Sequence, residues 1–166
     1  MLSLKNLIII ILTLLTFNLF ANEVSPPLRG EGVYSWYFIK IYKGKLWSFK
    51  DSELYSKPLK LELQYLKNFT GQEIIKQSLK ELASAGATQE ELESFRSKLQ
   101  QIMPDVKAND TITASFDPVS GLTFFYNSTK EVGKLSDVSE AKKFLNIWLG
   151  EKTTAPDFRN ILLGNK

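Results

Sequence analysis

Apolar and polar residues alternate at a period of two from Leu59 to Tyr65, LKLELQY. This puts Leu59, Leu61, Leu63 and Tyr65 on one face of a strand and Lys60, Glu62 and Gln64 on the other. A strand with one apolar and one polar face belongs in an antiparallel sheet that is solvated on one side. The pattern then changes period. Thr70 to Glu73 forms a capping box, and Ile75, Leu79 and Leu82 follow at helical spacing until Gly86. Thr88 to Glu91 is a second capping box. Leu92, Phe95, Leu99, Ile102 and Met103 continue the second helix, and Pro104 marks its exit. These two helices are expected to cover the leucine-lined sheet face.

The flanking segments extend the picture. Val33 to Tyr42 is aromatic and β-branched and predicts one strand with imperfect alternation. Lys43-Gly44-Lys45 predicts the turn into a second strand near Leu46 to Phe49. Downstream, Thr111 to Phe116 and Leu122 to Tyr126 predict strands joined by turn signals at Asp117-Pro118 and Ser120-Gly121. Glu131 to Leu135 adds a short third member of this meander. Asp137 caps a helix with Val138, Ala141, Leu145 and Trp148 on one face, and Ala155-Pro156 starts a last short helix ending at Gly164. The class is α+β, a mainly antiparallel sheet backed by a layer of helices. With neither repeat nor long linker, residues 22–166 read as a single domain.

The first 21 residues stand apart. Lys5 precedes the apolar run Leu7 to Phe17, and Ala21 offers a small residue before Asn22. That is the layout of a cleaved signal peptide. A retained membrane anchor is the alternative, but the run falls short of the roughly 20 residues that span a bilayer. The expected location is periplasmic or secreted, with membrane contact only through the uncleaved signal peptide.

Composition removes several chemistries. The 166-residue chain has neither cysteine nor histidine. Disulfides, thiol nucleophiles and lipid attachment at a cysteine are closed, and zinc sites and serine triads lose their usual histidine. No cofactor and no metal is expected. Any acid–base chemistry would have to come from Tyr, Lys, Asp or Glu. The formal net charge of +3 is a weak pull toward anions. Lys40, Lys43, Lys45 and Lys50 interleave with aromatics, but strand periodicity explains that spacing as well as nucleic-acid stacking would. With an export signal present, no nucleic-acid partner is expected.

The end of the chain carries the most specific motifs: Phe144 to Gly150 (FLNIWLG), Pro156 to Arg159 (PDFR), and Leu162-Leu163-Gly164. Together with Gly30-Glu31-Gly32, the Phe38 to Trp47 strand pair and Thr70-Gly71, they resemble the chalcone isomerase-like family, especially its small exported bacterial members. The resemblance implies an open-faced β-sandwich-like fold with a cleft between sheet and helices. Plant enzymes of the family close a chalcone to a flavanone in that cleft, while noncatalytic members bind fatty acids. It also marks four catalytic positions. The arginine after a Gly-x-Gly-x pattern corresponds to Tyr34, the threonine of the first long strand to Tyr42, the tyrosine beyond the Thr-Gly helix start to Ile74, and the asparagine further on to Glu81. All four depart from the family's pattern. Ile74 has no proton to give or take, and loss of the arginine removes the charge that would stabilise a phenolate.

The leading expectation is a noncatalytic protein that holds a small apolar or amphipathic ligand, such as a fatty acid. Arg29, Tyr34, Trp36, Lys40, Tyr42, Trp47 and Ile74 are the candidate ligand-binding residues, with Arg29 or Lys40 anchoring a carboxylate. Two alternatives stay open: an isomerase or other enzyme using the same cleft, and an envelope protein-interaction module. Trp36 and Trp47 also fit ordinary sheet packing, and Lys40 fits a solvated strand position. Arg159 fits a helix cap or salt bridge.

Overall fold

The computed structural model describes residues 25–50 and 53–165. The signal peptide expected at residues 1–21 lies outside them. Six strands form one antiparallel sheet in sequence order: β1 (Leu28–Trp36), β2 (Ile39–Trp47), β3 (Leu59–Tyr65), β4 (Thr111–Asp117), β5 (Gly121–Tyr126) and β6 (Lys130–Leu135). Helices α1 (Gly71–Ser84) and α2 (Gln89–Ile102) interrupt the meander after β3. Helices α3 (Val138–Leu149) and α4 (Pro156–Leu162) follow β6.

The alternation at Leu59 to Tyr65 is realised residue by residue. Leu59, Leu61, Leu63 and Tyr65 are buried and the residues between them are half-exposed. Register lines up the inward side chains in rows. One row runs Leu46, Leu61, Ala114, Phe124 and ends at Gly133. Gly133 has no side chain because Ile102 of α2 fills its place; a Cβ there would lie 2.7 Å from Ile102 Cγ1. Ala114, in the middle of that row, leaves a shallow spot between two large neighbours.

Both capping boxes form. Thr70 and Thr88 accept from the backbone N–H of Glu73 and Glu91, whose carboxylates accept from the backbone N–H of each threonine. Asp137 caps α3 through Glu140 N–H. Gly86 takes a left-handed φ of +99° just past α1.

The first hairpin differs from its sequence expectation. Val33 to Tyr42 is not one strand, and Lys43-Gly44-Lys45 is not a turn. The turn is Tyr37-Phe38, with Trp36 paired to Ile39 and Tyr37 at a φ of +53°. Gly44 sits inside β2 because α4 crosses there; a Cβ would lie 2.6 Å from Phe158 Cζ. The imperfect alternation also has a cause. Tyr34 pairs with Tyr42 and Ser35 with Lys40, so Ile41 is the extra residue of a β-bulge.

The helical layer is wider than the two capped helices. Helix α2 packs on β6, α3 on β5 and β6, and α4 on β1 and β2. Helix α1 packs chiefly on α2 and α3 rather than on strands. Because α3 lies between neighbours, it buries Phe144, Ile147 and Leu149 as well as the predicted Ala141 and Leu145, while Trp148 is only half-buried.

Candidate functional site

Two features just described open a space. Ala114 is short in the middle of the sheet, and α1 stands off from the strands beneath it. The result is a cleft of about 390 Å3 between the sheet, α1 and α3. Its floor is Leu61, Leu63, Ile112, Ala114 and Phe124; its inner wall is Phe144 and Ile147 of α3. Helix α1 supplies Ile74 and, toward the rim, Glu73, Gln77, Lys80 and Glu81. Most of the accessible lining is therefore carbon, with few polar groups, which is the make-up of a small-molecule site.

Three phenols are the main polar groups inside, beside the buried Ser78 hydroxyl, which donates to Ile74 O at 2.9 Å. Tyr34 and Tyr42 face each other across β1 and β2 with rings stacked at 5.1 Å, and Tyr65 meets Tyr42 edge-on at 6.0 Å. Tyr42 Oη accepts a hydrogen bond from Trp148 Nε1 at 2.9 Å, which ties β2 to α3 across the cleft. Burial pushes all three phenols above their usual value. For Tyr34 the nearby Glu81 carboxylate adds to the effect, and for Tyr42 the Trp148 bond partly opposes it. They are neutral hydrogen-bonding groups at neutral pH. Glu81 is held at the rim by Gln77 Nε2 at 2.6 Å and Thr154 Oγ1 at 2.6 Å.

Of the seven candidate residues, Tyr34, Trp36, Tyr42 and Ile74 line the cleft. Arg29, Lys40 and Trp47 do not, and each has a physical reason. Arg29 donates from Nε to Leu163 O at 2.9 Å and from Nη1 to Ser48 Oγ and Phe49 O, so it clasps the end of α4 to the first hairpin. Lys40 sits exposed beside the hairpin turn. Trp47 is one residue out of phase with buried Leu46 and packs under Lys60, whose Nζ lies 3.8 Å from the ring centroid. Arg159 is a cap: its Nε donates to Leu149 O at the end of α3, at 2.9 Å.

The four positions marked by the resemblance, Tyr34, Tyr42, Ile74 and Glu81, all line this one cleft. Sequence reasoning missed Tyr65, Phe69 and Trp148 as site residues. Tyr65 was legible as the last inward position of the alternating strand. Trp148 was assigned to a helix face without the bond to Tyr42. No group of three or more carboxylates among the described residues could hold a metal ion.

The sequence pattern of the Chalcone isomerase-like family matches residues 22–164. The chain belongs to the chalcone isomerase-like family. Among solved structures, it is similar to an Arabidopsis thaliana fatty-acid binding protein. The TM-score is 0.62 at 17% identity, over 85% of this chain and 88% of that one. At that identity the likeness is one of fold. No curated protein matches the chain by sequence.

Proposed function

We propose that this protein is a noncatalytic carrier or receptor for a small apolar or amphipathic molecule, a fatty acid being the leading candidate. It would work in the periplasm or outside the cell after loss of residues 1–21. The observation that carries the reading is the largely carbon-lined cleft whose interior polar groups are chiefly tyrosine hydroxyls. Such a site favours a chain of methylenes with one hydrogen-bonding head. The wall holds no arginine, and its phenols are shifted away from the range a general base needs. Three of the four marked positions have become Tyr34, Tyr42 and Ile74, which can bind but cannot reproduce an arginine's charge or, for Ile74, any proton transfer. The fold's likeness to a protein named for fatty-acid binding supports the same reading. A carboxylate anchor, where there is one, falls to Tyr34 and Tyr65 rather than to Arg29 or Lys40.

The test is native mass spectrometry of protein purified from its own source, with extraction of bound small molecules, beside titration with a fluorescent fatty acid. Ala114→Phe should fill the floor and weaken binding about tenfold or more, while changing stability by less than about 1 kcal/mol, because it enters open space. No extractable ligand together with no binding to a panel of fatty acids and flavonoids would refute the proposal.

A further inference from the structure

The turn of the first hairpin stands out among the described residues. Trp36, Tyr37, Phe38 and Ile39 are 60%, 80%, 100% and 43% exposed. A two-residue hairpin turn is normally built from Asn, Asp or Gly. Here it is Tyr37-Phe38, and Tyr37 holds a φ of +53° that bulky residues disfavour. Neither packing nor turn geometry accounts for these side chains. Around them the charge is one-sided. From Gly32 to Lys50 the chain has lysines at 40, 43, 45 and 50 and no carboxylate. Lys45 lies in register with Glu31 and Glu62, but Lys40 and Lys43 lie opposite Ser35, Val33 and Gln64.

The tip also belongs to the cleft. Trp36 is at once an exposed tip residue and part of the cleft lining. The α1 side of the lining carries Glu73 and Glu81 beside Lys80. The tip side of the cleft is thus aromatic, with Lys40 and Lys43 beside the tip on the solvent-facing side of β2, and the α1 side is largely anionic.

We propose that the Trp36–Ile39 tip is a wedge that docks on an anionic lipid surface and sets the mouth of the cleft against the bilayer, so that an amphiphile passes between the two. The inference rests on the ligand-binding reading above and names where the ligand is exchanged. Aromatic side chains with polar edges prefer the headgroup boundary, and lysines beside them reach anionic headgroups while their stems stay in apolar surroundings. A projecting four-residue tip is small against the roughly 800 Å2 that each partner of a stable protein complex buries. It suits insertion into a soft surface. Sequence alone placed membrane contact only in the uncleaved signal peptide; the hairpin is a separate point of contact within the folded domain.

The experiment is co-sedimentation of the purified protein with vesicles of phosphatidylcholine alone and of an equal mixture with phosphatidylglycerol. Mass spectrometry checks that every variant has the same N-terminus. The wild type should bind the mixed vesicles, with its tryptophan emission shifted to the blue. The double variant Tyr37→Ser, Phe38→Ser should lose at least about tenfold in partitioning. Lys40→Gln with Lys43→Gln should lose about tenfold on the mixed vesicles and little on the neutral ones. Val119→Ser, at an equally exposed turn on the other end of the strands, should change nothing. Fluorescent fatty-acid titration without vesicles separates the two readings. Fatty-acid binding kept alongside vesicle binding that ignores the tip overturns the docking proposal and leaves the cleft intact. Tip-dependent vesicle binding without fatty-acid binding keeps the docking and removes the cargo. A wild type that binds no vesicle, or whose tip variant instead abolishes self-association or capture of a protein partner, overturns the docking proposal.

Discussion

The two halves of the helix-covered sheet face are built from similar residues and end differently. Over β5 and β6, Phe95, Leu99, Ile102, Leu135, Ala141 and Leu145 are all buried and none lines the cleft, and Gly133 even gives up its side chain to admit Ile102. Over β3 and β4, Leu61, Leu63, Ile112 and Ala114 are just as apolar and buried but face the cleft. Apolar residues on the right face are therefore enough to form the sheet, but they do not decide whether the interior fills. That is decided by where the helix above rests. Helices α2 and α3 lie on strands, whereas α1 leans on its neighbours. The tyrosines follow the division. Phe95 lies in the filled half, while the open half combines Phe69, Phe124 and Phe144 with the hydroxyls of Tyr34, Tyr42 and Tyr65.

The largest expected effect is the difference between two leucines. Leu145→Ala in the filled half should cost about 4 kcal/mol, and Leu63→Ala at the cleft about 2 kcal/mol, because a side chain already bordering open space has fewer contacts to lose. Urea unfolding with unchanged m-values checks this, and equal losses would mean that the halves are packed alike. Next is Tyr42→Phe, which removes the acceptor for Trp148 Nε1 and should cost about 1 kcal/mol. The same variant should redden tryptophan emission if the bond holds the indole in the wall. A third effect is at alkaline pH. Tyr42 and Tyr65 keep their protons in the folded chain above their usual value of 10.0, while the unfolded chain loses them there. Their contribution is full below that pH and is lost as pH rises past it. Phenolate absorbance and unfolding free energy followed together above pH 10 should show stability falling before these two tyrosines ionise.

Much of the architecture was legible because local rules agreed. The alternation at Leu59 to Tyr65, the boxes at Thr70 and Thr88, and the cap at Asp137 each act over a few residues, and each formed. The first hairpin was misread for a non-local reason. Gly44 looks like a turn glycine, but it serves Phe158, far along the chain, and the actual turn carries two aromatics. The cleft was only partly legible. Periodicity placed Leu61, Leu63 and Tyr65 on the inner face, and family likeness drew attention to Tyr34, Tyr42 and Ile74. Neither could show that α1 stands off the sheet. Arg29 was drawn toward the site by nearness in sequence, yet its partners are Leu163, Ser48 and Phe49.

The clasp between Arg29 and Leu163 joins residues 134 positions apart. Helix α4, which it holds, is the element that packs over β1 and β2. During synthesis the ribosome delivers that helix long after the hairpin, so the edge strand waits uncovered for its lid. Contacts so distant in sequence carry a large loop-closure cost, and here they fall on the hydroxyl-rich side of the molecule. A chain cut before Pro156 would keep α2 and α3 for the filled half and lose the helix that covers β1 and β2.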